Sequence, residues 1–207
     1  MKLGIFIPYY YNSPECEIYF KKLMKTLDKQ LTNDTWLYVY EDGQYSRWLE
    51  YYNSLGRTCV TSCLNNKGIA YARNKLLEQA KMFDYIMFLD SDDIVDCDFI
   101  KLILEACNTG NYDMIISDFM YQGVLMDYPH RCNVAGVCLR TRFIEGLTFD
   151  ENYNVSEDTL FVNKVYERNP NIFKIDSVYY YNYGVNPNSL MKRFERNELG
   201  LRRDSNV

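Results

Sequence analysis

The chain has 207 residues and a formal net charge of −5 at pH 7, with 47% apolar and 25% charged residues. This composition is ordinary for a globular protein, and the length is sufficient to bury the core of one domain. The negative charge argues against broad, nonspecific binding of nucleic acid. No signal peptide or apolar run of bilayer length is recognisable, and the seven cysteines form no C-x-x-C pair. We therefore expect a soluble, cytoplasmic protein with reduced thiols, associated with a membrane at most peripherally.

Short apolar runs alternate with helical patterns in the first half of the chain, which is typical of a β/α sheet protein. The predicted strands are residues 3–8, 36–40, 58–63, 85–89 and 114–116. Helical spacing of apolar residues is found over 14–31, 69–80 and 99–107, and a shorter helix is predicted over 48–52, before Gly56. The run 85–89 is apolar without alternation, which predicts a central strand covered on both faces.

The pattern is less regular beyond Asp118. Residues 119–150 combine turn residues with short strand-like runs, a helix is predicted to begin near Ser156, and 173–183 form one strand or two. We therefore predict a first half of the domain over 1–118, a mixed half over 119–190 and a C-terminal tail over 191–207. The tail contains both basic and acidic residues, which favours a solvated amphipathic segment over a nucleic-acid-binding patch.

Three acidic residues follow the predicted central strand, in the segment Asp90-Ser91-Asp92-Asp93. In an open α/β sheet, ligands bind at the carboxyl ends of the strands. Two carboxylates separated by one residue can bind one Mg²⁺ or Mn²⁺ ion, which prefers oxygen ligands and neutralises charge on a leaving diphosphate. The alternative is an aspartate-rich turn, because aspartate also caps helices and forms turns.

Two other strand ends carry polar motifs. Glu41-Asp42-Gly43 can bind a nucleobase, because a carboxylate accepts a hydrogen bond from a ring N–H, but Asp-Gly is also a common turn. Asn66-Lys67-Gly68 opens a helix whose amino terminus favours an anion, and Arg73 follows within reach of a phosphate or a base. The alternative for this second motif is a plain helix start followed by an exposed arginine.

An acid pair, Glu157-Asp158, begins the last predicted helix. Either residue can act as a general base for an acceptor hydroxyl, and repulsion between the adjacent carboxylates can separate their pKa values. The alternative is that Ser156 caps the helix and the acids favour its dipole, which explains the same residues without catalysis.

Taken in order, these motifs resemble the inverting family-2 glycosyltransferases of the GT-A fold. The matching segments are Ile7-Pro8-Tyr9-Tyr10-Tyr11-Asn12, Glu41-Asp42-Gly43, Asn66-Lys67-Gly68 through Ala72-Arg73-Asn74, Phe88-Leu89-Asp90-Ser91-Asp92-Asp93, Gly136 and Glu157-Asp158. The resemblance spans about residues 2–190. It implies an α/β fold with a Rossmann-like, mostly parallel central sheet flanked by helices. Residues 1–118 then form the nucleotide-sugar-binding half, and 119–190 form a smaller, mixed half on the acceptor side.

The resemblance also implies a role for each matching residue. Glu41 and Asp42 would hold the nucleobase, and Arg73 would contact the nucleotide. Asp90 and Asp92 would bind ribose, diphosphate and a Mn²⁺ or Mg²⁺ ion, with Asp92 as the closer metal ligand. Asp158 would be the base, and Glu157 would orient the acceptor or the sugar. The implied donor-binding set is Pro8, Tyr10, Glu41, Asp42, Asn66, Gly68, Arg73, Asp90, Ser91 and Asp92.

The implied reaction is a single displacement at the anomeric carbon through a transition state like the oxocarbenium ion of glycosidases. An α-linked donor, UDP-sugar being favoured, then yields a β-linked product on a hydroxyl of a glycan, a lipid-linked sugar or a surface polymer. Two departures from the family pattern concern the donor. Gln44 replaces the usual serine, and the loop 181–189 lacks a histidine, which makes Lys192 or Arg193 the candidate diphosphate contact.

Three alternatives remain compatible with the sequence. Within the same chemistry, a phage-type glucosyltransferase would act on hydroxymethylated bases of DNA. From other classes, the chain could be a non-catalytic nucleotide-sugar-binding module or a nucleotidyltransferase. The intact acid pairs argue against the module. The aromatic segment after the first strand argues against the nucleotidyltransferase, which would need a glycine-rich, basic loop there.

Overall fold

The structure is a computed structural model that describes residues 1–43, 50, 52, 56, 58–121, 123–126, 133–153 and 155–181. The strands are β1 (Leu3–Tyr9), β2 (Thr35–Asp42), β3 (Thr58–Cys63), β4 (Tyr85–Phe88), β5 (Ile94–Val95), β6 (Met114–Tyr121), β7 (Val124–Met126), β8 (Cys138–Arg140) and β9 (Ile172–Tyr181). The α-helices are α1 (Pro14–Asp28), α2 (Ile69–Leu77), α3 (Phe99–Thr109) and α4 (Glu157–Glu167). Short 3₁₀ turns occur at Ala80–Met82 and Thr141–Phe143.

One mixed sheet organises the described part of the chain, in the order β3-β2-β1-β4-β8-β6-β9-β5, with β7 paired to β6. Strands β3, β2, β1 and β4 are mutually parallel, as βα units with crossover helices require. Strand β8 runs antiparallel between β4 and β6, and β9 returns parallel to β6. This is the α/β architecture that the motifs predicted. Because β6 crosses residue 118, both predicted halves share the same sheet.

Local sequence explains the elements that frame the site. Every residue of β1 and β4 is buried, as expected for strands covered on both faces. Helix α1 begins with Pro14 after Ser13 and buries one apolar face of five residues: Cys16, Phe20, Leu23, Met24 and Leu27. Proline suits this first helical position because its missing N–H has no helical acceptor there.

An aromatic stack fixes helix α4 against the carboxyl end of β4. The Phe88 ring meets Phe149 edge-on at 5.4 Å, and Phe149 stacks on Phe161 of α4 at 4.1 Å between ring centroids. Phe88 and Phe161 are both fully buried. Aromatic pairs of this geometry add to the free energy of burial, so the stack holds the start of α4 beside the residues that follow β4.

The structure differs from the sequence prediction in three places and narrows it in a fourth, the strand or strands near the end of the described residues. Strand β5 was not predicted, because two residues after an aspartate-rich turn carry no periodicity. Strand β6 continues past residue 116, residues 172–181 form a single strand, and Ala80 lies in a 3₁₀ turn instead of the preceding helix. Most of the helix predicted over 48–52 lies outside the described residues. No helix in the described part is long and apolar enough to cross a bilayer.

Candidate active site

The aspartates after β4 are anchored by a buried tyrosine of β9. The Tyr179 hydroxyl donates a hydrogen bond to the Asp93 carboxylate and lies 3.4 Å from the backbone nitrogen of Asp90. Tyr179 and Asp93 are almost completely buried, while Asp90 and Asp92 remain half-buried. Burial and the neighbouring Asp93 and Asp90 raise the pKa of Tyr179, so its hydroxyl stays protonated as the donor.

Gly136 makes room for the Tyr179 ring. It has a φ of +78°, and a β-carbon at this position would lie 2.7 Å from the ring. The ring of Phe119 stacks on the Tyr179 ring at 5.8 Å between centroids. Gly136 belonged to the motif match without an assigned role. In the structure it permits the close approach that places Tyr179 under the aspartate turn.

The acid pair lies at the amino terminus of α4, as predicted. Glu157 and Asp158 are in its first turn, and Ser156 occupies the N-cap position. The Ser156 side chain makes no capping hydrogen bond, and its backbone is left-handed with a φ of 70°. Helix capping by this serine therefore does not account for the motif. Left-handed backbone is unfavourable for a residue other than glycine and tends to occur at functional sites.

Arg73 connects the aspartate turn to the acid pair. Its Nη1 donates to Glu157 Oε1 at 2.5 Å, and its Nη2 donates to Asp90 Oδ1 at 2.8 Å. The arginine side chain is 1% exposed, and the guanidinium carbon lies 5.6 Å from the centre of the Phe149 ring. The interpretation of Arg73 as an exposed helix residue is therefore wrong. Its predicted contact with the nucleotide stays a prediction, and its guanidinium is here bonded to two carboxylates.

Burial perturbs both members of the acid pair. Desolvation raises the pKa of Glu157 to about 7, with Arg73 opposing the shift and Asp158 and Asp90 adding to it. Desolvation also raises the pKa of Asp158, again against the effect of Arg73. Carboxylates with raised pKa values in a cleft are suited to proton transfer near neutral pH.

Asp42 organises the turn between two strand ends. Its carboxylate accepts hydrogen bonds from the backbone N–H of Lys67 at 2.9 Å and of Gly68 at 2.7 Å. Gly43 has a φ of +120°, and a β-carbon there would lie 2.9 Å from the Asn66 nitrogen. The two motifs are thus bonded to each other. The nucleobase role of Asp42 and of the fully buried Glu41 stays a prediction.

The remaining predicted donor residues lie along the same edge of the sheet. Pro8 is buried near the end of β1, and Tyr10 is 37% exposed just beyond it. Asn66 is exposed and its side chain accepts a hydrogen bond from the Gly68 N–H at 3.1 Å, while Ser91 is half-buried. These residues follow or lie near the carboxyl ends of β1, β3 and β4, and their roles in donor binding stay predictions. Gln44, Lys192 and Arg193 lie outside the described residues.

The carboxylates after β4 suit a metal that is held jointly with a substrate. Among the described residues, no group of three or more His, Cys, Asp and Glu side chains could hold an ion. Asp90 and Asp92 supply two carboxylates, and Arg73 occupies one oxygen of Asp90. Mg²⁺ is commonly held by one or two carboxylates together with substrate phosphates. The residues therefore fit a metal bound together with a diphosphate.

The sequence left open whether Tyr179, Tyr180 and Tyr181 line the acceptor side of the site or belong to a part-buried strand. The ring of Tyr181 lies 5.5 Å from that of Phe119, and burial together with Asp90, Asp93, Asp92 and Asp158 raises the pKa of its hydroxyl. The three consecutive tyrosines 179–181 gave no signal that distinguished a part-buried strand from a cleft lining. Only their pairing with β6 shows which of them face the carboxylates.

The model of glycosyl transferase family 2 matches residues 5–171 of the chain. This match covers most of the sequence, and the chain belongs to that family. The aspartates after β4, Arg73 and the acid pair lie within the matched segment, whereas Tyr179 and Tyr181 lie beyond it. The family assignment agrees with the resemblance that the motifs indicated.

Solved glycosyltransferases share the fold. S. aureus TarS, as the fragment 1–349, matches with a TM-score of 0.73 and 21% identity over 87% of this chain and 60% of its own. The same fragment in complex with UDP-GlcNAc matches at 20% identity with a TM-score of 0.73, over 87% of this chain and 58% of its own. The mannosyltransferase PcManGT of Pyrobaculum calidifontis, in complex with GDP-Man and Mn²⁺, has a TM-score of 0.63 and 12% identity, over 87% of this chain and 56% of its own.

The chain spans less than two thirds of the length of these solved neighbours. The likeness extends to the GT-A fold and stops there, because the identities are low. No curated protein sequence matches the chain significantly.

Proposed function

We propose that the chain is a metal-dependent, inverting glycosyltransferase that moves a sugar from a nucleotide-sugar donor to a hydroxyl of a glycan or related surface polymer. The observation that carries this proposal is the position of the Arg73 guanidinium between Asp90 and Glu157. Through these two bonds, Arg73 holds Asp90, on the side suited to a metal and a diphosphate, near the acid pair suited to proton transfer. A displacement at an anomeric carbon needs these two sets of groups on opposite sides of the sugar.

Asp90 and Asp92 would hold Mn²⁺ or Mg²⁺ together with the donor diphosphate. When bound, the ion supplies neutralisation of the charge that develops on the leaving diphosphate. The helix start after Gly68 adds the favourable field of a helix amino terminus near the nucleotide end of the cleft.

Asp158 is the better candidate for the base. Glu157 is 3% exposed and one of its oxygens is bonded to Arg73, whereas Asp158 is half-buried. The Asp158 Oδ1 accepts the N–H of Thr159 at 2.7 Å, which orients the carboxylate. A base needs both a raised pKa and access to the acceptor hydroxyl, and Asp158 combines the two. Glu157, held by Arg73, would then orient the acceptor or the sugar.

A uridine nucleotide is the first donor to test. The proposal rests on Glu41 and Asp42 at the nucleobase end and on a solved neighbour that is in complex with UDP-GlcNAc. Another neighbour is in complex with GDP-Man and Mn²⁺, so the test should include guanosine donors. We expect the enzyme to act in the cytoplasm.

The test is Mn²⁺-dependent hydrolysis of UDP-GlcNAc, UDP-glucose, UDP-galactose and GDP-mannose without acceptor. We expect slow release of the nucleoside diphosphate from one donor, lost with EDTA and in Asp92→Asn. Asp34→Asn is the matched control, because Asp34 is an exposed carboxylate at the amino end of β2, at the opposite edge of the sheet. No release and no nucleotide-sugar binding by the wild-type protein would contradict the proposal.

Acceptor class is tested with the donor identified in that assay. Wild-type protein and Asp158→Asn are incubated with glycan or polymer acceptors and, separately, with duplex DNA that contains hydroxymethylated bases. Transfer to glycans with inversion at the anomeric carbon, seen by NMR of the product, supports the proposal. Transfer to the DNA and not to the glycans would show that the acceptor is a hydroxymethylated base, and would contradict the proposed glycan acceptor.

A further inference from the structure

We propose that Arg73 is a positioning residue, which couples the metal-side Asp90 to Glu157 and does not itself bind the nucleotide. This inference rests on the proposed function and assigns a role within that site. Arg73 would act on the reaction through the two carboxylates that it holds. Its effect would therefore appear in turnover and not in the affinity for the nucleotide.

The hydrogen bonds of Arg73 account for its two terminal nitrogens. Glu157 lies 84 residues away in the sequence and accepts from Nη1, while Asp90 lies 17 residues away and accepts from Nη2. Both are ion pairs in which the arginine is 1% exposed, with the Glu157 side chain 4% and the Asp90 side chain 21% exposed. Of these three side chains, Asp90 is the most exposed, and the guanidinium of Arg73 is buried behind it.

The third guanidinium nitrogen is also enclosed by the protein. Nε of Arg73 is buried and makes no hydrogen bond to the described residues. Phe149 faces the guanidinium plane at 5.6 Å, and the same phenylalanine belongs to the aromatic stack under α4. A nucleotide that used this arginine would have to displace a buried ion pair, which is costly.

Geometry makes arginine specific at this position. A planar guanidinium presents two N–H donors in fixed and different directions, so it can hold two carboxylates on separate elements at a fixed spacing. A lysine ammonium is a single point charge on a flexible stem. It can retain part of the charge compensation, but it cannot hold Asp90 and Glu157 at the same time in this geometry.

The consequence concerns both halves of the reaction. Asp90 belongs to the proposed metal and diphosphate side, and Glu157 precedes the proposed base. Loss of the link moves both groups relative to the anomeric carbon, and misplacement of catalytic groups by about 1 Å can lower a rate by about 100-fold. The nucleobase end of the cleft, organised by Asp42 and Gly68 through their own hydrogen bond, is not part of the link.

The experiment compares Arg73→Lys and Arg73→Gln with the wild-type protein in two assays. The first measures kcat and KM of Mn²⁺-dependent hydrolysis for the donor identified above. The second measures the Kd of UDP, or of GDP if a guanosine donor is used, in EDTA by calorimetry, so that the metal makes no contribution. We expect kcat of Arg73→Lys to fall by about 10- to 100-fold, as it does when a group that orients a metal ligand is replaced. We expect the Kd of the nucleotide to change by less than about threefold, because the substitution removes no contact with the nucleotide.

Arg140→Lys is the matched control for substituting a buried arginine. Arg140 donates to the Tyr112 carbonyl at 2.8 Å and to the Tyr85 hydroxyl at 2.5 Å, at the amino end of β4, where it has no contact with the site. We expect Arg140→Lys to lower Tm while kcat per folded molecule stays at the wild-type value. A double-mutant cycle of Arg73→Gln with Glu157→Gln should be non-additive in kcat, because both changes remove the same link.

The outcomes separate this inference from the proposed function. A loss of kcat with unchanged Kd, together with a non-additive cycle, supports the positioning role. A Kd that rises in parallel with the loss of kcat would make Arg73 a nucleotide contact and overturn the inference alone. Unchanged kcat in folded Arg73→Lys would overturn it as well. A wild-type protein that neither hydrolyses nor binds nucleotide sugars overturns both statements.

Discussion

The hydroxyl of Tyr179 donates a hydrogen bond to the carboxylate of Asp93 across 86 residues of sequence. This contact joins the last described strand to the turn that carries Asp90 and Asp92. Among the described residues, one backbone hydrogen bond lies within the turn, from the Asp93 N–H to the Asp90 carbonyl at 3.2 Å. The position of the aspartates relative to the sheet therefore depends on a side chain from another part of the chain.

Tyr179→Phe tests this anchor. The buried Asp93 carboxylate loses a donor, which should lower the free energy of unfolding by about 1–3 kcal/mol. We also expect a lower kcat for donor hydrolysis, because the aspartate turn is less well held. Urea denaturation and steady-state kinetics measure the two effects. Tyr180→Phe is the control, since its hydroxyl is bonded to Asp96 at 2.8 Å, away from the acidic pair. Equal effects of the two substitutions would argue against the anchor.

Gly136→Ala tests the space beneath Tyr179. The new β-carbon would lie 2.7 Å from the ring at a φ of +78°, so overpacking adds about 1–3 kcal/mol to the backbone cost. Gly123→Ala is a matched control, because Gly123 also has a φ of +78° but no atom of the described residues lies within 4 Å of a β-carbon there. The difference between the two variants in urea denaturation isolates the steric part. Equal destabilisation would mean that the ring moves aside freely.

Asp42→Ala tests whether the Glu41-Asp42-Gly43 motif organises the neighbouring loop. The Lys67 and Gly68 N–H groups lose a charged acceptor, and hydrogen bonds to charged groups contribute about 1.5–3 kcal/mol. We expect a loss of that order in the free energy of unfolding, and weaker nucleotide binding because the cleft is less preorganised. Asp42→Asn keeps an acceptor oxygen and should lose less stability. Equal stability of the two variants would show that the loop does not need this acceptor.

The acid pair predicts opposite effects of pH on stability and on activity. The pKa of Glu157 is raised in the folded protein from its ordinary value of 4.5 to about 7. The folded state therefore binds more protons than the unfolded state between these values, and the contribution of this group to stability falls as pH rises from about 4.5 to about 7. Glu157→Gln should flatten that part of the stability profile measured by urea denaturation. A profile unchanged by Glu157→Gln would contradict the shift.

The rate of sugar transfer should rise with pH, whereas the contribution of Glu157 to stability falls. A base must be ionised to accept a proton, and burial raises the pKa of Asp158. We expect kcat for transfer to fall as pH decreases, at a pH above that of an ordinary aspartate. Initial rates of transfer at saturating Mn²⁺, measured from about pH 4 upward, would give the midpoint. A midpoint at the ordinary value of an aspartate would argue against a carboxylate base with a raised pKa.

Much of the framework was predictable from local pattern. The strands at 3–8, 36–40, 58–63 and 85–89 and the helices after three of them appear at the predicted places. The spacing of apolar residues along a short segment is enough to predict such a strand or helix. Ligands bind at the carboxyl ends of parallel strands, so polar residues at these ends indicate the functional edge of the sheet. The short strand β5 was missed because two residues carry no measurable period.

The site depended on contacts that no local pattern contains. The sequence predicted that Arg73 is either an exposed helix residue or a ligand contact. It does not reveal that Glu157 and Asp90 both accept hydrogen bonds from its guanidinium. Tyr179 was one of three adjacent tyrosines of equal appearance, and only the register of β9 with β6 turns it toward Asp93. Ser156 is of a residue type that commonly caps helices, but its backbone is left-handed and its side chain makes no capping hydrogen bond.

The sequence by itself determined most elements of the first half of the chain, the resemblance to the family and the residues at the carboxyl edge of the sheet, because periodicity and strand-end chemistry are local properties. Only the tertiary structure decided which charged groups are buried, which are paired and which pKa values are raised. Those quantities depend on desolvation and on the distance between groups that lie far apart in the chain. Arg73 shows the difference, since its type was evident from the sequence and its partners from the fold alone.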